Sequence, residues 1–236
     1  MKTKIIRPSD RHWAGKRYQN LLGYFELDPS GLFLSSDVSE EHRLPIVEAF
    51  STLPPQLIEL SCAYELTLNV SPFGNTFSEN VCTIYADWEA RDRKAVSPHV
   101  EVGRSAFGTD LKPYLAHEIS HLWWRSLPSA AQESYRQFLL ETTAETDREV
   151  TDYAHRKFER YLSLYSPASG ERSPGKYTAP HSLALRNARE IWMEESFCET
   201  VAMLVVPDYK SDEDWAATID LAMRQVSIAQ VTKLKL

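Results

Sequence analysis

Thr109-Asp110-Leu111-Lys112-Pro113-Tyr114-Leu115-Ala116-His117-Glu118-Ile119-Ser120-His121-Leu122-Trp123-Trp124 is the stretch from which this chain is read. Leu111, Tyr114, Leu115, Ile119 and Leu122 recur at helical spacing. Thr109 has the chemistry of an N-cap, Asp110 follows it, and Pro113 falls where a first turn tolerates proline. Pro128 ends the run. The stretch therefore predicts an amphipathic helix, and on it His117 and His121 lie one turn apart on the same face. Two neutral imidazoles so placed can hold one Zn²⁺, and Glu118 lies close enough to take a proton from a water on that metal. Chance alone yields H-E-x-x-H in under roughly 1% of chains this long. Histidines inside a largely apolar stretch also need partners, which a metal supplies.

A catalytic zinc usually takes three protein ligands and leaves one position for water. The third-histidine variant is excluded, because Leu127 stands where that histidine would be. A later carboxylate is expected instead. Glu141 comes 20 residues after His121, but Gln137, Phe138, Ala144, Glu145 and Arg148 surround it at helical spacing. Glu145 has Glu141, Thr142, Arg148 and Glu149 around it, and both positions read as a solvated charged face. Glu195 is flanked at three, four and seven residues by Ala188, Ile191, Trp192, Cys198, Glu199 and Ala202. A carboxylate in that apolar stripe is costly to bury unless paired or metal-bound. Glu194 shares its face with Asn187, Glu190 and Phe197 and reads as more exposed. Glu195 is the preferred ligand and Glu141 the reserve. Glu199, one turn on, suits an acceptor for a ligand histidine or a surface ion pair.

His117 to Trp123 resembles the H-E-x-x-H-x-W of gluzincin aminopeptidases. Trp192-Met193-Glu194-Glu195-Ser196-Phe197-Cys198 resembles their W-L-N-E-G-F-A segment. Glu195 to Glu199 is also similar to the E-F-F-A-E segment of the anthrax lethal factor catalytic domain. The resemblance covers two short helices, and 73 residues separate His121 from Glu195. It implies a zincin-like α+β fold: a small twisted sheet with the active-site helix, followed by a mostly helical C-terminal lobe. It implies a zinc metallopeptidase, with His117, His121 and Glu195 as ligands and Glu118 as general base. The aminopeptidases' G-A-M-E-N motif is missing, and the strand before the helix reads Pro98-His99-Val100-Glu101-Val102-Gly103, so aminopeptidase specificity does not follow.

Such chemistry also needs a donor for the oxyanion of the tetrahedral intermediate. Tyr177 and His181, before the ligand helix, are the candidates, with Tyr161 and Tyr165 behind them. Trp123 and Trp124 read as packing residues. Two other readings stand beside the peptidase. One is a catalytically weak or inactive zincin-like metal-binding or interaction protein. The other is a helical interaction module in which H-E-x-x-H is accidental. A retained Glu118 argues against the first, because a structural zinc needs no base.

The 236 residues suit one domain in two lobes, a strand-rich one over about 1–127 and a helical one over about 128–236. The hydrophobic share of 43% and charged share of 25% are those of an ordinary globular protein. A net charge of −7 disfavours nucleic acid, despite a basic first 20 residues. No apolar run approaches the roughly 20 residues of a membrane span. The N-terminus lacks an apolar signal region, and Cys62, Cys82 and Cys198 read as free thiols of a reducing compartment. Cytoplasmic residence is expected, with non-classical secretion left open, and the expected partner is a peptide or protein substrate.

The remaining punctuation predicts a hairpin over 21–36, where Asp28-Pro29-Ser30-Gly31 separates apolar runs. A helix is predicted over 40–52, stopped by Pro54-Pro55. Strands are predicted over 64–70, 81–86 and 100–102, with Pro98 to Phe107 as the sheet edge that would hold a peptide. Helices follow over about 129–142 and 144–163. Ser166 to Pro180 reads as a loop, and helices close the chain over about 184–205 and 211–230.

Overall fold

The structure is a computed structural model. It describes residues 3–6, 23–76, 80–88, 95–146, 149–165, 179–206 and 221–232. The chain is mixed α and β and divides into two compact units, Met1–Ser126 and Leu127–Leu236.

Among the described residues the first unit is built on a six-stranded sheet. Its strands are β1 (Thr3–Ile6), β2 (Gly23–Leu27), β3 (Phe33–Ser35), β4 (Thr67–Val70), β5 (Cys82–Trp88) and β6 (Ala95–Val102). Their order is β1-β2-β3-β4-β6-β5. β3, β4 and β6 run parallel, and the other neighbours are antiparallel. The hairpin over 21–36 forms β2 and β3. Asp28 makes its turn: its Oδ1 accepts from the Ser30 N–H and its carbonyl from the Gly31 N–H. Gly31 sits at φ +93°, and a Cβ there would collide with Cys62 Sγ.

Among the described residues this unit has three α-helices: α1 (Glu40–Ser51), α2 (Pro55–Ala63) and α3 (Lys112–Ser126). Pro54-Pro55 does stop α1, but Pro55 also opens α2, where its fixed φ suits a first turn. α2 was not expected, nor was β1. The strand expected over 64–70 is shorter, because Tyr64 and Glu65 (φ +48°) finish α2. Along β4 and β6, Leu68, Val100 and Val102 are almost wholly buried, as are Ile46 and Phe50 of α1, Leu57 of α2, and Leu115, Ile119 and Leu122 of α3. Burying each such side chain contributes on the order of 1.5–3 kcal/mol.

The expected sheet edge is corrected. β6 runs from Ala95, longer than expected, and lies between β4 and β5. Residues 104–108 form a 3₁₀ turn instead of continuing it. Because β5 returns antiparallel along the outside of β6, β5 ends the sheet on that side among the described residues. Burial on both faces explains the polar residues of β6: His99 and Glu101 are buried, and His99 meets Thr67 Oγ1 at 2.9 Å and Asn69 Oδ1 at 3.0 Å.

Among the described residues the second unit is helical: α4 (Ser129–Thr146), α5 (Asp152–Tyr165), α6 (Ala179–Val205) and α7 (Leu221–Thr232). α6 starts earlier than expected, with Pro180 and His181 in its first turn. The loop expected over 166–180 and the first half of the expected last helix lie mostly outside the described residues. Phe158 and Tyr161 of α5 pack on Trp192 of α6, with ring centroids at 4.8 and 5.3 Å. No described helix is long and apolar enough to cross a membrane.

Candidate metal centre

The helix that carries H-E-x-x-H starts as its sequence requires, with one exchange of roles. Asp110, not Thr109, caps it: its Oδ1 accepts from the Lys112 N–H at 2.9 Å. Thr109 Oγ1 donates backward to the Ala106 carbonyl. The Leu111 carbonyl accepts from Leu115 N–H. The apolar face formed by Leu115, Ile119 and Leu122 is buried, and so are Trp123 and Trp124, in keeping with packing roles. With that face fixed, the opposite periodicity sets His117 and His121 side by side. Their rings stand edge to face with centroids 5.1 Å apart.

His117, Glu118 and His121 form one group whose ligand-capable atoms all lie within 4.8 Å of one another. Glu118 is buried, and His117 and His121 are half-buried. Glu118 is anchored from the sheet. Its Oε2 accepts from the Ile84 N–H on β5 at 2.8 Å. Ile84 pairs with Val100 in a register where the neighbouring pairs exchange the ladder bonds, so its N–H points away from β6. The Glu118 charge is felt next door. Burial pushes the Cys82 thiol well above its ordinary pKa, the Glu118 carboxylate adds to that, and Glu101 adds a little more against the Thr83 N–H.

The preferred third ligand, Glu195, lies on α6 in the second unit and is half-buried. Tyr153 of α5 donates its phenol to Glu195 Oε1 at 3.3 Å. Glu199 is buried one turn further on. Glu141, the reserve, is exposed and accepts from Gln137 Nε2 at 2.7 Å, as a solvated helix face would. Glu194 is half-buried rather than exposed. Tyr177 lies outside the described residues, and of His181 only its place on α6 is described. Tyr161 stacks on Trp192, and Tyr165 ends α5.

Two features escaped the sequence. Glu149 does not belong to a solvated face. It is wholly buried, and its carboxylate accepts from Trp192 Nε1, Ser196 Oγ at 2.9 Å and Arg224 of α7 at 3.0 Å. Tyr153 was also missed. Its signal is Val150, Ala154, Phe158 and Tyr161, an apolar stripe that Tyr153 flanks at the level of Glu195.

No family model, curated protein or solved structure matches this chain.

Proposed function

We propose that this chain is a zinc metallopeptidase of the gluzincin type, on a zincin-like fold. The observation that carries the reading is the group His117, Glu118 and His121: two imidazoles one turn apart and a carboxylate, mostly buried, with ligand atoms within 4.8 Å. That donor set fits zinc. His117 and His121 would hold it, with Glu195 as the third ligand that the sequence favours. When bound, zinc supplies a Lewis acid that polarises the substrate carbonyl and acidifies a water.

The chain's own residues supply the rest. Glu118 would take the water's proton and return it to the leaving amine. The Ile84 N–H fixes one of its oxygens and so holds the carboxylate in place for that transfer. Away from Ile84, whose outward N–H Glu118 takes, β5 rather than the segment 98–107 is the strand on which an extended peptide would pair. An oxyanion donor remains assigned to Tyr177 or His181 on sequence grounds.

The test is zinc stoichiometry of the purified full chain by elemental analysis, with Glu195→Ala, Glu141→Ala and Glu118→Gln in parallel. One zinc per chain is expected, lost with Glu195→Ala and kept with the other two. Glu118→Gln should also reduce peptide hydrolysis about 10²–10⁴-fold, the usual worth of a general base. A wild-type protein that binds no zinc after metal is added back would sink the reading. Zinc retained without hydrolysis would favour the metal-binding interaction protein.

A further inference from the structure

The side chain of Glu195 is held in a way that bears on how it would bind metal. α6 is held by its neighbours on both sides of Glu195. Three residues before it, Trp192 is clasped between the rings of Phe158 and Tyr161 and the buried carboxylate of Glu149. Immediately after it, Ser196 donates to the same carboxylate and receives Arg224 Nη1 at 2.9 Å. The backbone that carries Glu195 is thus pinned at two adjacent points. At that level Tyr153 reaches across from α5 and donates its phenol to Oε1. Lys157, one turn along α5, covers the Tyr153 ring with its Nζ 4.6 Å from the centroid, which steadies the ring.

We propose that Tyr153 is a positioning residue that commits Glu195 to bind zinc through Oε2 alone. The proposal rests on the reading of Glu195 as the third ligand. A carboxylate bound through both oxygens fills two positions on the metal and crowds the one that water needs. A phenol on Oε1 competes with the metal for that oxygen and so favours binding through Oε2. It also orients the remaining oxygen, as outer partners of metal ligands generally do. Tyr153 acts through Glu195.

The experiment compares wild type, Tyr153→Phe, Tyr161→Phe and Glu195→Gln as full-length chains. Zinc affinity is read by competition with a chromophoric chelator, and coordination by the visible spectrum of the Co²⁺-loaded protein, whose intensity falls as coordination rises above four. Tyr153→Phe is expected to weaken zinc binding about 10–100-fold and to change the cobalt spectrum. Tyr161→Phe, whose ring packs on Trp192 from the same helix, is expected to match wild type in both. Circular dichroism of the metal-free proteins should show Tyr153→Phe folded like wild type. Unchanged zinc affinity or an unchanged cobalt spectrum in Tyr153→Phe overturns the proposal, and so does an equal loss in Tyr161→Phe. Wild-type zinc binding by Glu195→Gln would show instead that the ligand assignment itself is wrong, and the inference would fall with it.

Discussion

The helix that carries the two histidines and the helix that carries Glu195 are held by opposite means. α3 is fixed by apolar surface: Leu115, Ala116, Ile119 and Leu122 are buried, and Glu118 itself bonds it to the sheet. α6 buries Met193, Phe197 and Val201, yet its register rests on a polar knot of Glu149, Trp192, Ser196 and Arg224. Apolar packing is graded, because each methylene lost costs a little. A buried ion pair is close to all-or-none, because removing one partner strands the other.

The knot should therefore give the largest effect. Glu149→Ala leaves the Arg224 guanidinium buried without its carboxylate, and chemical denaturation should show a loss of about 3–5 kcal/mol. The double change Glu149→Met with Arg224→Met should cost much less. If the double change is as damaging as the single, the contrast between the helices is wrong. On α3, Leu115→Ala should cost about 2–5 kcal/mol in the same assay. Because that loss is a graded one, Leu115→Met should recover most of it.

A smaller effect sharpens the account of Glu118. Hydrogen exchange of the Ile84 amide should be slow in wild type and in Glu118→Gln, whose amide oxygen still accepts. It should speed up in Glu118→Ala. Equal exchange in all three would mean that Glu118 does not hold β5.

The smallest effect comes from Cys82. Its folded pKa is raised, so the folded state keeps the proton longer than the unfolded chain does. The stability this contributes is complete below the unfolded thiol's value of about 8.5 and is lost as pH rises beyond it toward the folded value. A Cys82→Ala protein should show a flatter decline in stability between neutral and alkaline pH.

The parts of this molecule that were legible from sequence are those where local rules and burial agree. The helix around His117 is one, since spacing and a terminal proline point the same way, although its cap is Asp110 and not the expected Thr109. The hairpin at Asp28 to Gly31 is another. Legibility failed where partners come from far along the chain. Nothing near Glu149 announces Arg224, which lies 75 positions away, so a buried carboxylate looked like part of a charged surface. The sheet edge failed for a related reason: strand order is a long-range property, and β5 covers β6 although both read as short isolated strands. Pro55 misled locally, because the residue that ends one helix also starts the next.

The bond between Glu118 and Ile84 has one more consequence. A terminal strand offers its outward N–H groups to any passing chain, and proteins usually guard such strands against joining into larger sheets. At Ile84 that outward group is already taken, by a carboxylate from α3. The residue proposed as the general base thus also acts as a stopper against self-association at that point on the strand. Replacing it with alanine would leave a stickier protein and, on the proposed reading, an idle one.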